Sequence, residues 1–247
     1  MKNVLLVCIF AGAVALLSGC MMVSFNGVGA RETVQGTGPR VSQSYSYGAF
    51  TSVDIAIPAT IMYRNSATSQ IVVYMQENLF EYLVVTIEGG HTRLASTRSF
   101  RTDTGNTPRV YIYTPYLDTI NLQSAVTAEN WDTLVAETLN LTLSGAVNGQ
   151  FDLEVETLHL NASGAININL NGSAATAHVL FAGAGDLDAE NLQINNAHVN
   201  IAGAGNAVMA VSDMLDVTIS GVGRLEYIGS PQVSQTIAGV GRVSRRE

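Results

Sequence analysis

The sequence predicts an all-β fold, specifically a parallel β-helix, on three observations. First, a short motif recurs. Leu139 to Gly145 returns as Leu158 to Gly164, Ala177 to Gly183, Ala197 to Gly203 and Leu215 to Gly221, with a frayed last copy at Val233 to Gly239. An earlier imperfect copy, Asp118 to Ser124, has Ser where the others have Gly. Second, the period is roughly 18–21 residues, the range of solenoid repeats. Third, each copy alternates apolar and polar residues, the pattern of a strand with one buried face.

The alternation assigns faces. Leu143, Ala162, Phe181, Ile201, Ile219 and Ile237 fall in one inward column, and Asn, Thr and His dominate the outward ones. Ser-Gly or Ala-Gly closes each copy, and Gly tolerates the positive φ and close backbone approach of a corner. A second alternating run follows, such as Asn167 to Leu170 or Asp186 to Ala189. A βαβ unit needs about 30 residues, so this period leaves no room for a helix. It fits a coil of two or three short strands, with like residues stacked about 4.8 Å apart. Leucine-rich repeats share the period, but their Asn/Cys position and helical half are missing. A β-sandwich is the competing architecture, since it too has many short strands.

Before the repeats, Met1-Lys2-Asn3 gives a positive start, and Val4 to Leu17 is an apolar run too short to span a bilayer. Leu17-Ser18-Gly19-Cys20 follows and resembles a bacterial lipobox, which implies cleavage after Gly19 and a lipid-modified Cys20. Residues 1–19 are then a lipoprotein signal peptide. The chain has 2 Cys, and the other, Cys8, lies inside that signal, so neither a disulfide framework nor a Cys metal site is expected. Met21 stands where Asp would favour inner-membrane retention, so the outer membrane is the expected destination. Residues 20–47 are Gly-, Ser- and Thr-rich and read as a tether. The β-helix domain is expected over 48–247, with less regular early strands from Phe50 to Thr114, a hairpin or corner at Gly89-Gly90, and a projecting polar loop from Thr97 to Pro108.

The formal net charge is −8, and Lys2 is the only lysine. Between Val110 and Gly223 there is no Lys or Arg. An acidic body of this kind argues against nucleic acid and against docking on anionic lipid heads. It also disfavours a polysaccharide lyase, which needs a basic residue to take the sugar proton.

Several landmarks stand along the chain: Phe50 to Val53 with Pro58-Ala59, Gln76 to Leu79 with Leu83 to Val85, the corner pairs Gly183/Gly185, Gly203/Gly205, Gly221/Gly223 and Gly239/Gly241, and Tyr227 to Pro231. They resemble the opening strand, the next landmark, the Ser-Gly-x-Gly corners and the closing Tyr-x-Gly-x-Pro of the head GIN domain family of putative auto-transporter adhesins. Ser124, Val147 and Ile166 depart from that pattern. The resemblance covers roughly residues 48–243. It implies a right-handed β-helix in the cell envelope and brings no active residues with it.

Candidate site residues come from the columns. His159, His178 and His198 each precede their corner Gly by five residues, and Asn140 and Asp216 extend the same column. The imidazoles should point outward as a solvated, ligand-facing ladder. A flat row lacks the convergence of a tetrahedral metal site, so neither metal nor cofactor is expected. Asn148, Asn167, Asp186 and Asn206 share the third position after the corner and read as a hydrogen-bonded ladder. Asp186, Asp188 and Glu190 read as a solvated acidic face. The resulting expectation is a non-catalytic binding or structural module of the cell envelope, anchored to the membrane through Cys20, with adhesion leading and a glycan or protein as ligand. A polysaccharide hydrolase and a periplasm-facing structural protein are the alternatives.

Overall fold

A computed structural model describes residues 32–46, 48–129 and 131–247 of the chain. The signal peptide, Cys20 and the first part of the expected tether lie outside the described residues. The strands in chain order are β1 (Thr33–Gln35), β2 (Arg40–Tyr45), β3 (Ser52–Ile55), β4 (Ala59–Asn65) and β5 (Gln70–Gln76). A 3-10 helix, Glu77–Tyr82, leads to β6 (Leu83–Glu88), β7 (His91–Ser96), β8 (Ser99–Arg101) and β9 (Arg109–Thr114). Then come β10 (Thr119–Leu122), β11 (Ala125–Ala128), β12 (Leu134–Leu143), β13 (Ala146–Ala162) and β14 (Ala165–Phe181). The last are β15 (Ala184–Ile201), β16 (Ala204–Ile219), β17 (Val222–Ile228), β18 (Gln232–Ile237) and β19 (Val240–Arg245).

The β3–β4 coil stacks in parallel on β10–β11, and successive coils from there to β19 do the same, forming a β-solenoid of about 7 turns. The stacking register follows the repeat. Asn140 lies beside His159, then His178, His198, Asp216 and Ser234, steps of 19, 19, 20, 18 and 18 residues. Within a coil the inward parity changes once between corners. Val147, Phe151, Leu153 and Val155 are buried at odd positions of β13, and Leu158, Leu160 and Ala162 at even ones. The backbone therefore bends near Glu156 and Thr157, which lets one continuous strand serve two walls of the coil.

The core is a column of stacked aliphatic and aromatic side chains. Leu143, Ala162, Phe181, Ile201 and Ile219 of the expected inward column are all buried. Ile237, the sixth member, is 41% exposed. It belongs to a coil where β18 pairs with β16 and β19 with β17, and among the described residues no further coil covers it. Neighbours on that end, Val233 and Val240, are exposed for the same reason.

The second glycine of the Gly-x-Gly corners has a packing role. Gly205 sits at an inward position, where a Cβ would overlap the Phe181 ring of the preceding coil. Ile166 fills the equivalent position two coils earlier, where the residue in the register place of Phe181 is Leu143, an aliphatic side chain and not a ring.

The opposite end is closed differently. Strand β7 stacks on β3 and β9 on β4 in parallel, but β6, β5 and β2 then run antiparallel. Gly89 and Gly90, both at positive φ, make the β6–β7 connection a hairpin. Leu79 of the 3-10 helix is buried against this end. Asp54 on β3 is buried and paired with Arg93, its register neighbour on β7.

Two expectations change here. Residues 33–35 and 40–45, within the segment read as a tether, form β1 and β2, and Val34 and Tyr45 pack against the core. The expected loop from Thr97 to Pro108 contains β8, which pairs with β1. These strands pair on one side only and keep a mostly polar exposed face, so they lack the apolar alternation that marks the repeats.

Candidate functional site

The parallel register turns sequence columns into straight rows of side chains, and two of those rows define concave polar surfaces. The first is the predicted His column. The rings of His159 and His178 stack with centroids 4.9 Å apart and an interplanar angle of 12°. His178 and His198 follow at 5.0 Å and 8°. Asn140 and Asp216 occupy the flanking coils as expected, with His198 Nδ1 3.8 Å from Asp216 Oδ2. Asn140 donates from Nδ2 to the Asp118 carbonyl at 3.4 Å. Together with Thr142, Asn161 and Leu180 the histidines line a shallow groove of about 490 Å³.

Face-to-face stacking has two chemical consequences. Ring nitrogens run side by side and do not converge on a point; among the described residues, no group of three or more His, Cys, Asp or Glu could hold a metal ion. The central imidazole is also harder to protonate than a free one. His178 has its pKa lowered from the ordinary 6.5, by desolvation first and then by the positive charge His159 and His198 would carry.

The second surface lies past the corner glycines. Thr127, Asn148, Asn167 and Asp186 form one outward column, and Gln150, Asn169 and Asp188 another two residues on. Between them the column Ala128, Gly149 and Ile168 turns inward. Gly149 adopts φ of 136°, and a Cβ there would overlap the Ala128 carbonyl oxygen. The result is a trough of about 890 Å³, also lined by Glu129, Trp131 and Asp152.

The expected Asn/Asp ladder is present. Asn167 donates to Asn148 Oδ1 at 3.3 Å, and Asn206 to Asp186 Oδ1 at 2.9 Å. Asp152 accepts from Asn171 at 2.7 Å and from Gln150 at 3.1 Å. Of the acidic trio, Asp186 and Asp188 line the trough, whereas Glu190 pairs with Arg246 at 2.8 Å. One coil thus splits these carboxylates between two surroundings.

Trp131, the single tryptophan of the chain, did not emerge from the repeat pattern. It lies on the connection between β11 and β12, outside any repeated strand. Its ring packs edge-on to Phe151 at 5.0 Å and tilted against Tyr63 at 5.5 Å. It is 6% exposed, and its Nε1–H is buried without a hydrogen-bond partner. The available signal was a lone aromatic in the polar run Glu129-Asn130-Trp131-Asp132.

This is a β-solenoid carrying rows of polar side chains on outward-facing sheets. The chain belongs to the family described as putative auto-transporter adhesin, head GIN domain, whose model matches residues 49–231. No curated protein matches it. Among solved structures it is similar to a putative adhesin from Bacteroides fragilis, at 21% identity over 86% of this chain and 100% of that one, TM-score 0.76. A putative lipid binding protein from Parabacteroides distasonis shares 19% identity over 87% and 100%, TM-score 0.67. A putative adhesin from Parabacteroides merdae shares 21% over 87% and 100%, TM-score 0.56. At these identities the likeness shows the fold.

Proposed function

We propose that the protein is a non-catalytic, adhesin-like binding module of the cell envelope, held at the outer membrane by lipid on Cys20. The observation that carries this reading is the pair of straight polar rows, the His column and the Asn/Asp trough, presented on a rigid stacked core. Such surfaces make many modest polar contacts, and strength comes from many copies acting together on one ligand. The adhesin description of the family supports the same role, and the lipobox ending at Cys20 supports the anchor. No helix among the described residues is long and apolar enough to cross a membrane; the attachment proposed is the acyl group on Cys20.

The test has two arms. Radiolabelled palmitate fed to cells should enter the wild-type protein and not Cys20→Ser; label retained on the variant refutes the anchor. Protein clustered on beads should adhere to extracellular matrix or polysaccharide coats more strongly than the same protein free in detergent. Equal, negligible retention in both forms refutes the binding role. A reducing-sugar signal that vanishes in Asp186→Asn or Asp188→Asn would instead establish a hydrolase.

A further inference from the structure

We infer that the trough beside Trp131 is a binding site for an uncharged glycan, seated along the solenoid axis and occupying about three sugar units. This deepens the binding-module reading and rests on it.

The trough has a definite chemistry. Its outward columns offer Asn148, Gln150, Asn167 and Asn169, which both donate and accept, and Asp186 and Asp188, which accept only. The carboxylates are partly used: Asp186 accepts from Asn206, and Asp188 Oδ1 accepts the Glu190 backbone N–H at 3.0 Å. Their remaining lone pairs accept further hydrogen bonds, from water or from a ligand. Sugar hydroxyls supply donors and acceptors together, which is what a mixed amide and carboxylate row requires. No Lys or Arg stands between Val110 and Gly223, so nothing in the wall balances a carboxylate or sulfate on a ligand. An acidic polysaccharide would meet like charge.

The spacing adds length to the chemistry. Thr127, Asn148, Asn167 and Asp186 stand on four consecutive coils, three steps of about 4.8 Å or roughly 14 Å in all. A pyranose chain advances by a similar distance per residue, so an extended trisaccharide meets one polar side chain of each column per sugar. A single sugar reaches only one or two coils. The trough volume, about 890 Å³, falls at the upper end of small-molecule sites.

Trp131 is an independent observation at the same place. It lines the trough, is more than nine-tenths buried, and has an indole N–H with no acceptor among the described residues. Buried donors are ordinarily paired, and an orphan calls for an explanation. The nitrogen is itself fully buried, so a sugar oxygen pairs with it only when the ring turns toward the opening on binding. The same indole also reports on the site, because no other tryptophan contributes to the emission.

The experiment uses the full chain in detergent. Trp131 fluorescence and calorimetry are followed during titration with glucose, cellotriose, chitotriose, trigalacturonate and trilysine. Cellotriose or chitotriose should shift the emission saturably, bind at least tenfold more tightly than glucose, and leave trigalacturonate without effect. The double variant Gln150→Ala/Asn169→Ala, at two exposed positions, should weaken the trisaccharide at least tenfold while its circular dichroism stays that of the parent. Trigalacturonate binding as well as the neutral sugars overturns the inference. So does trilysine binding in their place, which would make the trough a cation site, or an unchanged trisaccharide affinity in the double variant. Silence toward every trisaccharide while beads still adhere to their target overturns the trough and leaves the binding module standing. Silence together with inert beads refutes both.

Discussion

Ile201→Asp tests the inward column directly. Ile201 is 1% exposed and stacks between Phe181 and Ile219 in consecutive coils. Burying an isoleucine side chain contributes about 1.5–3 kcal/mol. Burying an unpaired carboxylate costs several kcal/mol more unless it takes up a proton. Together the substitution should destabilise by at least about 3 kcal/mol, among the larger single-residue effects. Two controls calibrate the column. Thr218→Asp, on the outward parity of the same strand, should cost less than about 1 kcal/mol. Ile237→Asp occupies the Ile201 column by sequence but sits on the uncovered last coil, 41% exposed, and should also cost about 1 kcal/mol or less. Urea unfolding of all three proteins, followed by far-ultraviolet circular dichroism, measures the differences. Coils of a solenoid can unfold in parts, so midpoints are compared only where slopes agree. Equal losses for Ile201→Asp and Thr218→Asp would refute the face assignment. A large loss for Ile237→Asp would show that something covers the terminal coil.

Two further outcomes follow from the same columns. Gly205→Ala should destabilise by about 1–3 kcal/mol through overlap with Phe181, and the double variant Phe181→Ala/Gly205→Ala should lose clearly less than the sum of the two singles; additive losses in urea melts would refute the overlap. His178 should titrate below 6.5 in a proton NMR titration. The folded state then binds a proton there less readily than the unfolded chain, so His178 costs nothing at pH 7.5 and destabilises as pH falls through and below 6.5. His178→Asn should flatten that acid-side decline, and a His178 titration at or above 6.5 would contradict the stacked arrangement.

What could be read from the sequence was whatever repeats. Period-2 alternation at a fixed spacing located the coils, the inward column from Leu143 to Ile219 and the His column, because parallel stacking maps sequence offset directly onto register. The Asn148 to Asn206 ladder followed from the same offset. Features that occur once stayed hidden. β1, β2 and β8 close the N-terminal end by pairings that no repeat announces, and β2 pairs antiparallel with β5. The Asp54–Arg93 pair belongs to that end as well. Trp131 lies on a connection, and the trough it lines depends on how far β11, β13 and β14 recess at Gly149, which is a property of three coils together. Exposure of Ile237 was concealed by the opposite error, since its residue type continues the column although no further coil among the described residues buries it.

Irregular coil length shows where the structure enforces register and where it does not. The step from His178 to His198 is one residue longer than the two before it. The extra residue is absorbed in the strand beyond the trough: pairing of β14 with β15 shifts between Asn169 and Asn171, and that of β15 with β16 between Ala189 and Gln193 and again between Ile194 and Asn196. On either side of those bulges the alignment is kept. Asn167 still lies beside Asp186 and Asp186 beside Asn206, while His178 lies beside His198 and His198 beside Asp216. A one-residue slip in a strand would turn every side chain to the opposite face. Had the extra residue entered between the corner and Asp188, it would have put Leu187 into the trough and Asp186 into the core. Placed where it is, it disturbs neither row. Length variation among β14, β15 and β16 is thus taken up outside both rows, and the rows remain straight across these coils of unequal length.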